Sequence, residues 1–271
     1  MAECGLYFGN AEHMTWLPAP DGEAGASYRG WGVSGGFING GAFVRRSLTH
    51  HMAYQFNWTM KSRAELAKIE DFYGGRYGEG PFYMVMPGTH DNILPKSWSM
   101  PRTTLKDGPS LVYENPPTAA NLTASNGRPS VAARYEINDE ELERAEIVLP
   151  VPPGYFLHFG VQGTFTGDTH IELNGMAVAP LANDAEEMTN TVIDQPGLYS
   201  ISLQGTGTAT IAAMTARLAE SGDAEDLAVF VPGRGASAVE FEPDSLDITV
   251  SSAAKDFYHG TATLIEVGQW A

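Results

Sequence analysis

Residues 43–87 read FVRRSLTHHMAYQFNWTMKSRAELAKIEDFYGGRYGEGPFYMVMP, and almost every part of this stretch carries a structural signal. Met52, Tyr54, Phe56, Trp58 and Met60 alternate with Ala53, Gln55, Asn57 and Thr59, the period-two pattern of a strand with one buried face. Ser62 is placed to cap a helix, and Glu65 three residues on completes a capping box. Leu66, Ile69, Phe72 and Tyr73 then recur at helical spacing and predict one apolar helix face. Gly74-Gly75 ends the helix, because glycine adopts the left-handed conformation without a Cβ clash. Residues 81–86, Pro-Phe-Tyr-Met-Val-Met, predict a second strand, closed by Pro87-Gly88.

Outward from this unit, the 271 residues are enough for one large core or two ordinary ones. With 30 glycines, 10% aromatic residues and only 18% charged ones, the composition predicts a mainly β protein. No apolar run approaches the roughly 18 residues of a membrane span, so no membrane insertion is expected. Met-Ala-Glu-Cys-Gly at the start lacks the basic region and apolar run of a secretory signal. The single cysteine, Cys4, forms no internal disulfide and suits synthesis in a reducing cytoplasm. Asn57-Trp-Thr and Asn121-Leu-Thr match the glycosylation sequon, but without a secretory route they predict no glycan.

The net charge is −17, unevenly spread. Residues 1–101 hold eight Lys/Arg against nine Asp/Glu, and residues 102–271 hold eight against 24. An acidic chain is expected to repel nucleic acid. The change near residue 101 also predicts a domain boundary there.

Before the central unit, aromatic runs at Gly5–Gly9, Met14–Leu17 and Tyr28–Trp31 are separated by turn signals, and residues 35–41 predict a glycine-rich loop. After it, residues 90–101 read as a polar, proline-bounded exit from the first domain, tacked down by Leu94 and Trp98. Short strands are expected at 110–114, 132–137, 146–151, 155–162, 169–173, 191–193, 199–203 and 208–218, with Asn174-Gly175 as a strong hairpin turn. Tyr155, Leu157 and Phe159 lie on one face, and Tyr199, Ile201 and Leu203 on another, as in a two-sheet sandwich. Residues 139–144 predict at most a short helix. After the acidic linker 221–226, strands are expected at 227–231, 238–242, 247–251 and 260–267. About 50 residues make a small core, so this tail is expected to return to the sheet of residues 1–101. The division is therefore 1–101, an inserted unit 102–220, and 221–271.

Signals for catalysis are weak. Gly32-Val-Ser-Gly-Gly36 fits the G-x-S-x-G elbow, but no helix can follow it, so Ser34 lacks the strand–turn–helix setting of a nucleophile. Gly233-Arg-Gly-Ala-Ser-Ala238 imitates a dinucleotide fingerprint without opening a helix. His50 and His51, adjacent on a strand, fall on opposite faces and cannot easily share a metal. His13, His90, His158, His170 and His259 show no metal-ligand spacing. Glu140, Glu141, Asp184 and Glu186 sit in charged runs, and nothing pairs any two as a glycosidase would need. No catalytic residue, cofactor or metal site is predicted. Arg45-Arg46 beside the aromatic strand are either partners for an acidic surface on a neighbouring subunit or an exposed strand start.

Several stretches together resemble one family. They are Gly-Leu-Tyr-Phe-Gly at the start, Phe37-Ile-Asn-Gly-Gly-Ala-Phe-Val-Arg-Arg-Ser47, Tyr54-Gln-Phe-Asn-Trp58, Asp71-Phe-Tyr-Gly-Gly75, Gly78-Glu-Gly-Pro-Phe-Tyr83, Asn92-Ile-Leu-Pro-Lys-Ser-Trp98 and Leu264-Ile-Glu-Val-Gly-Gln-Trp270. The chain is similar to minor tail proteins, of distal-tail type, from long-tailed (siphovirus) phages that infect actinobacteria. The likeness covers about residues 1–101 and 227–271 and rests on structural glycines and aromatics.

That resemblance implies a non-enzymatic virion protein of the phage tail tip, made in the host cytoplasm. It implies a mainly β fold: a β-barrel-like belt domain with one packed helix, plus an inserted β-sandwich of galectin or carbohydrate-binding-module type. Copies would form a ring, expected to be hexameric, at the distal end of the tail tube. The ring would contact the tube protein and other baseplate or tail-tip proteins, and DNA would pass through it without specific binding. Candidate interface or structural residues are Arg45, Arg46, Tyr54, Phe56, Trp58, Leu66, Ile69, Phe72, Trp98 and Trp270. The alternative is a carbohydrate-binding module meeting host-surface glycan, with Tyr155, Phe156, Phe159 and Phe165 as candidate stacking rings.

Overall fold

A computed structural model describes residues 5–21, 25–36, 42–99, 118–121, 131–137, 147–179, 191–223, 231–235, 238–252 and 255–267. Among them the protein is mainly β, in four antiparallel sheets, with one helix longer than a single turn. The expected strand at 110–114 and short helix at 139–144 lie outside the described residues, as do all of the strand expected at 227–231 except Val231, which is not in a strand, and residues 37–41 of the loop expected at 35–41.

The helix forms as its sequence dictates. α1 (Arg63–Tyr73) starts where the Ser62 hydroxyl accepts the Glu65 N–H at 3.3 Å and the Glu65 carboxylate accepts the Ser62 N–H at 2.8 Å. It ends on Gly75, at φ +73. Gly75 N–H donates to the Phe72 carbonyl and Arg76 N–H to that of Asp71, so the left-handed residue lets the last carbonyls be satisfied. Leu66, Ile69 and Phe72 are fully buried. Tyr73 sits at the rim: its ring packs edge-on against Phe241, and its hydroxyl accepts the Asp244 N–H.

That buried face packs on a five-stranded sheet. β4 (Ala42–Ser62) is its longest strand, flanked by β3 (Gly25–Gly36) and β17 (Phe257–Val267). Beyond β17 lie β15 (Ala238–Phe241) and, further along the same strand, β16 (Asp247–Ser252). Phe56 stands opposite Ala262 and Tyr54 opposite Leu264. Tyr54, Phe56 and Trp58 are buried as the alternation predicts, but Met60 is half exposed. A bulge opposite Tyr258–Gly260 puts Met60 at φ +57, and an extra residue of this kind breaks the two-residue period. β4 also starts ten residues before Met52, and Gly35 and Gly36 are paired in β3 rather than in a loop.

The expected barrel-like closure is absent: none of the four sheets closes on itself among the described residues. Instead a three-stranded sheet, β2 (Met14–Leu17), β1 (Leu6–Gly9) and β5 (Tyr83–Val85), stands between two cores. Leu6, Phe8 and Met84 join the core of α1 and β4, where Phe8 meets the rings of Phe72, Phe82 and Phe241 at 5.1–5.8 Å. Tyr7 and its cross-strand partner Val85 point the other way and join the second core. Successive strand residues face opposite sides, so this all-apolar strand closes two cores at once.

The second core takes side chains from two sheets. One contains β8 (Ile147–Val151), β13 (Gly197–Gln204), β10 (His170–Leu173) and β11 (Met176–Ala179). The other contains β12 (Thr191–Ile193), β9 (Phe156–Gly167), β14 (Gly207–Ala219), β7 (Val131–Ile137) and β6 (Thr118–Asn121). Ile147, Leu149, Ile171 and Leu173 meet Leu157, Phe159, Val161 and Ile211 in one buried cluster. Asn174 and Gly175, at φ +48 and +78, make the β10–β11 hairpin turn, the conformation that Asn-Gly favours.

Candidate functional site

Most aromatic and aliphatic candidates are core residues. Tyr54, Phe56, Trp58, Leu66, Ile69 and Phe72 are all at most 3% exposed, so they shape an assembly surface only from behind. Trp58 also anchors a strap, since its indole N–H donates to the Pro18 carbonyl at 2.9 Å. That strap, residues 18–21, is held as well by the Asp21 N–H, which donates to the Asn57 carbonyl. The Asp21 carboxylate accepts from the N–H and hydroxyl of Thr59. The Thr59 hydroxyl bond is the main reason that carboxyl sits below its ordinary range. Trp98 is buried in the other core. Trp270 lies outside the described residues.

Arg45 and Arg46 fall in a different setting. β17 pairs with β4 from Ser62 back to Ala53 and no further, whereas β3 pairs with β4 all the way to Ala42. Residues 42–52 and their β3 partners therefore stand as a two-stranded ribbon past the sheet, with Val33 opposite Arg45 and Gly32 opposite Arg46. The arginine side chains lie outside what is described. The ribbon is the one long stretch of paired backbone that, among the described residues, has no third strand.

The junction of the two cores is held by a buried hydrogen-bonded network, and nothing in the apolar periodicity marks its central residue. Asn92 is 2% exposed. Its amide donates to the carbonyls of Val231 at 2.8 Å and Met214 at 3.3 Å, and its oxygen accepts from Ala216 N–H and Leu94 N–H. Around it, Ile93 N–H donates to the Ala216 carbonyl and Leu218 N–H to that of His90. On the other side, Arg234 N–H and Gly235 N–H donate to the carbonyls of Asn92 and Leu94. The chain at 89–99 is thus laced to β14 and to residues 231–235 together. Gly233 and Gly235, which in sequence only imitate a nucleotide fingerprint, are where two backbones touch. A Cβ on Gly235 would lie 1.6 Å from the Ile93 oxygen. A glycine pair outside any strand–helix turn was the available signal for such an approach.

The histidines whose side chains are described stay apart, and those of His50 and His51 lie outside what is described. His13 stacks on Tyr77, with centroids 4.1 Å apart. His90 lies edge-on to Tyr155, and burial holds its pKa below the ordinary value. His158 is fully buried, with Nε2 at 3.0 Å from the Ser221 carbonyl. His170 contacts the Asp168 carbonyl and the Glu172 carboxylate, and its pKa is raised chiefly by the former. Among the described residues no three His, Cys, Asp or Glu side chains gather as a metal site. Ser34 lies within paired β3, followed by Gly35 and Gly36 in the same strand, so the strand–turn–helix of a nucleophile elbow is not formed there. Of the rings considered for sugar stacking, Tyr155, Phe159 and Phe165 are buried, and Phe156 is partly covered, with Gly222 against its ring. No described helix is long and apolar enough to cross a membrane.

Compared with known proteins, the chain matches no family model, no curated protein and no solved structure.

Proposed function

We propose that the protein is a structural subunit of a phage tail, forming a ring at the distal end of the tail tube and joining the tube to baseplate or tail-tip proteins. The observation that carries this reading is the β3–β4 ribbon. Isolated two-stranded ribbons are marginal in water, and exposed strand edges invite pairing with another chain. A closed ring is the symmetric way to cover such an edge on every copy. The sequence resemblance supplies the family, the expected six copies and the virion location. The two sheets over the second core fit a β-sandwich inserted in the belt and carried as an outer unit. Its buried aromatics lend no support to glycan binding.

The reading is tested by mass measurement and negative-stain imaging of the purified chain, alone and with its tube protein. Rings of about six copies are expected, and antibody labelling should mark the tip of purified virions. A chain that stays strictly monomeric both alone and with the tube protein overturns it.

A further inference from the structure

β9 and β14 run side by side over the second core, and at one end of the pair a fully buried histidine stands with half of its ring chemistry unused. His158 on β9 lies opposite Arg217 on β14 and Val192 on β12, and it is 0% exposed. Leu157 and Phe159 on either side of it face the core, so the His158 ring lies on the other face of the sheet. There it meets the chain leaving β14, with Nε2 at 3.0 Å from the Ser221 carbonyl. A carbonyl can only accept, so Nε2 carries the proton and Nδ1 of the neutral ring keeps the lone pair. Nδ1 is buried and has no hydrogen-bond partner.

The segment that His158 holds lies at the surface. Ser221, Gly222 and Asp223 are exposed, and Gly222 lies against the Phe156 ring. Ser221 and Asp223 bond to each other, hydroxyl to carboxylate at 2.9 Å and N–H to hydroxyl at 3.1 Å. A second proton on His158 would go to Nδ1, where it is buried and nothing accepts it. Nor do the charged groups of the described elements around the ring favour a cation there. β9 and β12 bring no other charge, and β14 brings the Arg217 cation. The exit brings Glu220, which is exposed, and Asp223, whose carboxylate is turned to the Ser221 hydroxyl.

We infer that His158 is an acid-released latch: neutral, it clasps the Ser221 carbonyl and holds the exit of β14 onto β9, and protonated, it leaves its buried place and frees that exit. The closed form offers the second proton no acceptor, whereas the open form exposes the ring to water. The open form therefore binds more protons and gains as pH falls. The opening is local, because the β9–β14 ladder continues to Gly167 and Gly207, well away from the ring. In sequence the exit leads on to residues 231–235, which bond to the seam around Asn92, so release loosens the hold of the second unit on the returning tail. The latch acts within one chain, with or without assembly into a ring.

The experiment follows amide exchange in the full chain at pH 7.5 and 5.5, corrected for the intrinsic rate at each pH. Residues 156–158 and 217–219 are expected to lose about tenfold in protection at the lower pH, one unit below the ordinary imidazole value of about 6.5. Residues 164–166 and 208–211, at the far end of the same strands, should keep theirs. His90 stands at the same corner, edge-on to Tyr155 and near Asp91 and Glu220, so its own titration is removed with His90→Gln. The loss should persist in that variant. It should vanish in His90→Gln/His158→Gln, because a glutamine amide can donate to the Ser221 carbonyl but takes no proton. If the double variant is unprotected even at pH 7.5, the imidazole itself decides. Ring nitrogen shifts of His158 in the His90→Gln chain should show the Nε2–H form at pH 7.5, with the doubly protonated ring appearing together with the faster exchange. Exchange that ignores pH in His90→Gln, a loss that survives in the double variant, or a ring doubly protonated at pH 7.5 overturns the latch.

Discussion

The side-chain oxygen of Asn92 accepts the backbone N–H of Ala216 at 3.1 Å, across 124 residues of sequence. With its three other bonds, to Leu94, Met214 and Val231, it ties the end of the first β unit to β14 and to the returning tail. A buried amide so satisfied specifies one arrangement, because any other leaves polar groups unpaired in a dry interior.

Asn92→Ala removes four hydrogen bonds and strands two N–H groups and two carbonyls. The expected loss is about 2–4 kcal/mol, read as a lower midpoint in urea unfolding. Asn92→Asp should be at least as damaging, since a carboxylate cannot donate to the Met214 and Val231 carbonyls. If Asn92→Asp unfolds at the native midpoint, the side chain does not hold this junction.

Gly235→Ala should push apart the two chain segments of the same seam. Its Cβ would meet the Ile93 oxygen at 1.6 Å, and the obstacle is backbone rather than a movable side chain. Gly154→Ala is the control: Gly154 has φ +83 but nothing within 4 Å of a Cβ, so only conformational strain of about 1 kcal/mol is expected. Thermal unfolding of the two variants should differ by several degrees, with Gly235→Ala the lower. Equal stability would mean that the close approach is relieved at no cost.

Trp58→Ala should cost on the order of 3–5 kcal/mol, as should Phe56→Ala, through loss of buried ring volume. Trp58→Phe keeps most of the volume but loses the hydrogen bond to Pro18. Faster exchange confined to the strap's two amides, Ala19 and Asp21, is expected from it, with a modest loss of global stability. A variant with Phe56 truncated that unfolds at the native midpoint would place the centre of the first core elsewhere.

Two histidines should give opposite pH dependence. Burial depresses the pKa of His90 in the folded state, so the unfolded chain binds its proton first. Stability from His90 is present above the ordinary imidazole value of about 6.5 and declines as pH falls below it. His170 is raised. Its contribution is therefore full below about pH 6.5 and is lost as pH rises through the higher folded value. Melting temperatures measured from pH 5 to 8 on His90→Gln and His170→Gln should each remove one limb. A His90→Gln protein with an unchanged acid limb would show that another group carries it.

Local signals were legible because their causes are local. The Ser62–Glu65 box, the Gly75 stop, the buried face of α1 and the Asn174-Gly175 turn each depend on residues within one or two turns of chain. The exposure of Met60 was not legible, because its bulge depends on Tyr258–Gly260, about 200 positions away. The aromatic run Leu6-Tyr7-Phe8 showed burial but not its division between two cores, which depends on what packs against each face. No interface was legible in the buried aromatics either: a ring looks the same in sequence whether it faces a core or a partner.

Sequence by itself thus determined the secondary-structure type, the helix with both its ends, most strand positions and the uneven charge, all of which follow from backbone preference and residue spacing. Tertiary structure alone decided that no sheet closes on itself among the described residues, that Asn92 is the knot between distant segments, and that β3 follows β4 past the point where β17 stops pairing with it. Those outcomes depend on hydrogen bonds and packing between residues a hundred or more positions apart, and periodicity holds no record of which distant partner a strand or a buried amide will find.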